Sequence, residues 1–174
     1  KTCEFVANCG YDGIEVAPFT LGEEVRSIDD KTRKEIRQAA EAHGLQIVGL
    51  HWLLVSPKGL SATASDPAVR RATSEYLVAL AHFCADLGGS IMVFGSPAQR
   101  RVEEGVSRHE AMERYVECLR PALDRAQTES IMMCIEPLPA PEANFILTLD
   151  EAAEVLRLLQ QPAAKSILDV KSAS

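Results

Sequence analysis

Short apolar runs alternate along this chain with longer stretches whose apolar residues recur every three or four positions. Leu45–Leu54 (LQIVGLHWLL) is almost continuously apolar, as a strand buried on both faces would be. Ser90–Phe94 (SIMVF), Ile131–Leu138 (IMMCIEPL) and Ser166–Val170 (SILDV) repeat that character, and Tyr11–Pro18 (YDGIEVAP) is a shorter β-rich run. Between them the period changes. Val69, Ala72, Tyr76, Leu80, Phe83 and Leu87 fall on one helical face, with Asp66 as N-cap, Pro67 at the first turn and Gly88 as the stop.

The remaining helices carry similar punctuation. Lys1–Asn8 reads as a helix end stopped by Gly10, and Lys31–Ala42 as a helix with Gly44 just past it. Ser107 with Glu110, and Thr148 with Glu151, have capping-box spacing. The first box opens a helix to about Gln127, expected to bend near Pro121, and the second opens one that ends before Pro162. Strict strand–helix alternation predicts a parallel sheet built from right-handed crossovers.

Two α/β architectures fit: a doubly wound open sheet or a closed barrel. The first should carry a glycine-rich phosphate loop after an early strand, and no G-x-G-x-x-G or G-x-x-x-x-G-K occurs. Polar residues instead end nearly every strand: Glu15, His51, Ser96, Glu136 and Asp169. That is the pattern of a (β/α)8 TIM barrel, here an incomplete barrel of about five strands. A full barrel takes about 250 residues, so residues 1–174 are expected to be one domain, a fragment lacking the first strand and the C-terminal strands. Both ends of the sequence read as cut.

Charge narrows the partners. A formal net charge of −7 over 174 residues disfavours nucleic acid and anionic membrane surfaces. No apolar run has the length of a membrane helix, and the amino end does not read as a signal peptide. Five scattered cysteines without a Cys-x-x-Cys pair fit reduced, mostly buried thiols in a cytoplasmic protein. A small-molecule substrate is the expected partner, and a homo-oligomer is compatible with the composition.

The candidate chemistry sits at the strand ends. Glu136 follows four apolar residues and precedes Pro137; Asp169 repeats the arrangement one unit later. On adjacent parallel strands, ~5 Å apart, two such carboxylates suit a hard divalent ion. Each can instead cap a helix or meet a lysine. His51 can contact a substrate and Trp52 stack on a sugar face, or the two can form a core pair. Glu15 is a further pocket candidate. Gly95-Ser96-Pro97 with Arg100 and Arg101 can bind phosphate or simply form a turn with solvated arginines. His43, His82 and His109 fall on helical stretches, where surface positions are expected.

The run IEPLPAPEANFILTLDEA, followed by ILDVK, resembles the xylose isomerase-like barrels. Within them it is most similar to the sugar phosphate isomerase/epimerase group with its ketose 3-epimerases of the tagatose and psicose type. DPAVRRATSEYLVALAHFCADLGG, before the strand ending in Gly95-Ser96-Pro97, is similar to the same family. The resemblance implies that Glu136 is a metal ligand and one of two glutamates that move the substrate proton. It implies that Asp169 is a second ligand and that Glu142 hydrogen-bonds the sugar near C1. A His and a Glu from later strands would complete a site for Mn²⁺, Mg²⁺, Co²⁺ or Zn²⁺. Two positions depart from the epimerase pattern: Pro139-Ala140-Pro141 replaces an Asn-Arg between the two glutamates, and Ser172 stands where many members have His.

The expected function is therefore a metal-dependent sugar or sugar phosphate isomerase or epimerase working through an enediolate. The alternatives are an apurinic endonuclease-like phosphodiesterase, or a barrel that binds sugar without catalysis.

Overall fold

The computed structural model describes residues 1–170. Five parallel strands form one sheet in the order β1 to β5, the order of the sequence: β1 (Gly13–Val16), β2 (Gln46–Leu50), β3 (Ile91–Phe94), β4 (Met132–Ile135) and β5 (Ala164–Ser166). A doubly wound sheet reverses direction at a switch point. This one never does. Helices α2 (Asp30–Glu41), α3 (Pro67–Asp86), α4 (Arg108–Thr128) and α5 (Leu149–Leu159) follow successive strands, and each packs against the next, as in an arc of a barrel wall. A short helix, α1 (Thr2–Asn8), precedes β1.

The caps work as their chemistry requires. The side chains of Asp29, Asp66, Ser107 and Thr148 accept hydrogen bonds from the first-turn amides of α2 to α5 respectively. Glu151 reaches back past the N-cap to accept from the Leu147 amide, whereas Glu110 turns to Arg114 and leaves the Ser107 box half made. Helix α4 continues through Pro121 to Thr128.

Side chains alternate across the sheet. Met92 and Phe94 of β3, with Met133 and Ile135 of β4, point into a core shared with Leu77, Leu80, Tyr115 and Leu119 of the helices. The opposite face carries Val93, Cys134, Glu15 and Lys165; burial raises the Cys134 thiol pKa, the Glu15 charge adds to that, and Lys165 opposes it.

Several boundaries differ from the sequence reading; β4, read as Ile131–Leu138, spans only Met132–Ile135. β2 stops at Leu50; the His51 amide still bonds to the Val16 carbonyl, but Trp52 then adopts a left-handed φ of 53° and the chain turns away. β1 is confined to Gly13–Val16. β5 spans Ala164–Ser166 rather than Ser166–Val170, with one further bond from the Ile167 amide to the Ile135 carbonyl. Its ladder ends there because β4, its partner, ends before Pro137, which has no N–H to offer. The thiols also divide. Cys84, Cys118 and Cys134 are buried, but Cys9 is exposed and Cys3 only partly covered. His43, His82 and His109 are exposed, as expected. Among the described residues no helix is long and apolar enough to cross a membrane.

Candidate active site

Register builds the site. Phe94 pairs with Ile135, and Ile135 with Ser166, so the three chains leave the sheet side by side at one rim. The Glu136 amide donates to the Phe94 carbonyl at 3.2 Å. Its side chain lies across Gly95: a Cβ at that glycine would sit 2.3 Å from Glu136 Oε2. The carboxylate occupies space that any other residue at position 95 would fill.

An open cleft of about 510 Å³ at this rim is lined by Glu15, His51, Trp52, Glu136, Leu168 and Asp169, with Val93 at its base. Four strand ends therefore contribute to one cavity. Burial, and after it the Asp169 charge, push the Glu136 carboxyl above the usual carboxylate range; Arg100 opposes them, and Glu142 and Glu15 add to them. Glu142 is exposed and does not line the cleft, yet its charge reaches Glu136. The charges of Asp169, Glu142 and Glu15 all act on Glu136 in the same direction.

Trp52 is not half of a core pair. It is 60% exposed and stacks on Phe19, with ring centroids 6.0 Å apart and planes at 24°. Phe19 sits in a single 3₁₀ turn (Pro18–Thr20) just beyond β1, and the sequence reading passed over it. The available signal was an aromatic residue directly after a strand-end proline.

Ser96 lies at the same rim, buried in a left-handed conformation (φ 31°) and outside the lining of the cleft. Arg100 fits neither reading offered for it, phosphate ligand or solvated arginine on a turn. It is fully buried, and its guanidinium donates to the main-chain carbonyls of Glu136 and Ile146. Only Arg101 of that pair is exposed. Ser172 lies outside the described residues.

A model of the xylose isomerase-like TIM barrel family matches residues 3–173. This chain belongs to that family. Among solved structures it is similar to a D-psicose 3-epimerase crystallised in the presence of D-fructose, with a TM-score of 0.80 and 22% identity over 95% of this chain and 55% of that one. It is also similar to D-allulose 3-epimerase from Methylomonas sp. in complex with D-allulose (TM-score 0.75, 23% identity, 94% of this chain, 54% of that one). A third is AP endonuclease, family 2, from Brucella melitensis (TM-score 0.69, 18% identity, 97% of this chain, 62% of that one). This chain spans little more than half the length of the two epimerases, and at these identities the likeness is one of fold. No curated protein matches the sequence.

As part of a xylose isomerase-like barrel, the cleft can be tested for a divalent ion. Glu136 and Asp169 are hard oxygen donors on one cavity, and burial first, then the Asp169 charge, raises the Glu136 carboxyl. A cation would relieve that repulsion, so the donor chemistry fits. Among the described residues no three His, Cys, Asp or Glu side chains group closely enough to hold an ion by themselves. Glu136 and Asp169 are a partial ligand set.

Proposed function

We propose that this chain carries the larger part of the active site of a metal-dependent sugar or sugar phosphate isomerase or epimerase. The observation that carries the reading is the half-buried Glu136, seated over Gly95 in a cleft it shares with Asp169, His51, Trp52 and Glu15. Fold kinship with psicose and allulose 3-epimerases supports the same substrate class. We take residues 1–174 to be one barrel domain, completed by strands outside this sequence.

Glu136 and Asp169 would hold the divalent ion (Mn²⁺, Mg²⁺, Co²⁺ or Zn²⁺). Bound there, the ion would polarise the sugar's carbonyl and offset the negative charge that develops on oxygen. Glu136, or a second glutamate supplied by a later strand, takes the proton from the carbon next to that carbonyl, giving an enediolate. Its return to the former carbonyl carbon, with the hydroxyl proton passing to the former carbonyl oxygen, isomerises the sugar; protonation of the original carbon from the opposite face by the other glutamate epimerises it. Glu142 binds the hydroxyl near the C1 end, His51 and Glu15 bind further hydroxyls, and the Trp52 face covers the sugar's C–H surface. The Trp52 side wall is apolar and the cleft is acidic. Arg100 is spent on main-chain carbonyls, which favours a neutral sugar over a phosphorylated one.

The endonuclease-like alternative needs histidine-rich metal ligation and a basic track. The −7 charge and the exposed positions of His43, His82 and His109 oppose it. Solvent exchange separates the remaining readings. The intact protein, incubated in D₂O with ketoses and ketose phosphates, should place deuterium next to the carbonyl, and a chelator should stop it. Exchange indifferent to the chelator removes the metal from the mechanism. No exchange with any of them leaves a sugar-binding barrel.

A further inference from the structure

Glu136 and Glu142 lie on one segment, and a single side chain grips both ends of it. Arg100 closes the 3₁₀ turn Pro97–Arg100 after β3, where the left-handed Ser96 redirects the chain beneath the rim. Its Nη1 donates to the Glu136 carbonyl at 2.7 Å and its Nη2 to the Ile146 carbonyl at 3.4 Å. Two residues on, a reciprocal pair repeats the brace. The Val102 amide donates to Asn144 Oδ1 and Asn144 Nδ2 donates to the Val102 carbonyl, both at 3.0 Å. The connection leaving β3 is thus cross-tied to the loop leaving β4.

The cost of this arrangement argues that it does more than fill space. A guanidinium keeps its charge at any ordinary pH, and burying it is unfavourable unless its donors are used. Here Arg100 Nε and the neighbouring Tyr115 hydroxyl are buried against each other, outside good hydrogen-bond geometry, and their interaction only partly offsets the cost of burial. An apolar residue would pack the same space at lower cost, but it could not hold two carbonyls at once. One of those carbonyls belongs to Ile146, a β-branched residue held at a left-handed φ of 57°. Such a conformation persists only where its surroundings enforce it. The Leu138 amide at 3.2 Å on the same Ile146 oxygen ties the loop's two ends directly.

We propose that Arg100 is the positioning residue of this site: by holding the carbonyls of Glu136 and Ile146 it fixes the loop that carries Glu142 relative to Glu136. The role rests on the reading of those two glutamates as the working carboxylates, and the test separates the two ideas. Arg100→Lys keeps the charge but cannot span both carbonyls; Arg100→Met removes both bonds. In the intact protein, amide hydrogen exchange of residues 137–146 should quicken by about tenfold or more in Arg100→Lys, since a charged hydrogen bond is lost. The rest of the sheet should keep its protection. The kcat for ketose turnover should fall by a similar factor per folded molecule. Ile131→Val, just before β4 at the end of the strand away from the cleft, serves as a control: it should lower the unfolding midpoint while leaving loop exchange and kcat unchanged. If Arg100→Met does not fold, Arg100→Lys alone decides. Wild-type loop exchange in Arg100→Lys, with activity falling only as the folded fraction falls, overturns the proposal. Should the wild type turn over no ketose, the isomerase reading fails, and the loop exchange still decides what Arg100 does.

Discussion

Oε2 of Glu136 lies 2.3 Å from where a Cβ on Gly95 would stand. The glycine and the carboxylate are neighbours because Phe94 and Ile135 are in register, so the residues that follow them leave the sheet together. The remaining neighbours of that Cβ, Glu136 Cδ at 3.4 Å and Leu138 Cδ1 at 3.6 Å, are less crowded.

Gly95→Ala should therefore act on function more than on folding. The obstructed atom is the end of a flexible side chain, which can swing aside, so stability should change by less than about 1 kcal/mol. The displaced carboxylate should lose on the order of a hundredfold in kcat, as misplacement by an ångström can cost. Thermal unfolding and turnover measured together check this. A large fall in melting temperature, or unaltered kcat, would contradict it.

Gly49 tests the opposite case. A Cβ there would meet the backbone carbonyl oxygen of Ile91 at 2.2 Å, where β2 and β3 pair. Backbone cannot swing aside. Gly49→Ala should cost about 1–3 kcal/mol by overpacking, read as a lower denaturant midpoint at unchanged slope. Wild-type stability would mean that the two strands are further apart than described.

Glu136→Gln and Asp169→Asn should differ in kind. Each amide can still offer one oxygen to a cation, but Gln cannot take a proton. Glu136→Gln should lose activity by roughly 10²–10⁴-fold, beyond its loss of metal. Asp169→Asn should recover part of its rate in excess Mn²⁺. Equal rescue of both variants would remove Glu136 from proton transfer.

The thiols give a test that needs no substrate. Burial pushes Cys84 and Cys118 up to about 12 from an ordinary value near 9, which cuts their thiolate fraction by about a thousandfold. A thiol reagent near pH 8 should react at once with exposed Cys9 and reach Cys84 and Cys118 only after unfolding. Linkage adds a pH dependence. Between pH 9 and 12 the unfolded chain sheds these protons and the folded chain keeps them, so stability is complete below pH 9 and falls as pH rises through that window. Uniform labelling of the folded protein would show that the core thiols are accessible.

The sequence by itself determined the alternation of elements, the helix caps and the sides of the helices that face inward. All of these depend on residues within a few positions of one another: Asp66 with Pro67, Thr148 with Glu151, the apolar repeat from Val69 to Leu87. It also marked Glu136 and Asp169, since a carboxylate after an apolar run needs a reason wherever it lies. What it did not contain was which neighbour each residue would meet. The end of β5 is set by where β4 stops, and β4 belongs to another stretch of the chain. The same holds for Phe19 beneath Trp52, for Gly95 under Glu136, and for Arg100. Read locally, Arg100 is a solvated arginine on a turn; it becomes a buried brace only because Glu136 and Ile146, 36 and 46 positions away, present their carbonyls to it. Local hydrogen bonds and periodicity choose helices and strands, but long-range register chooses partners, and this site consists of partners.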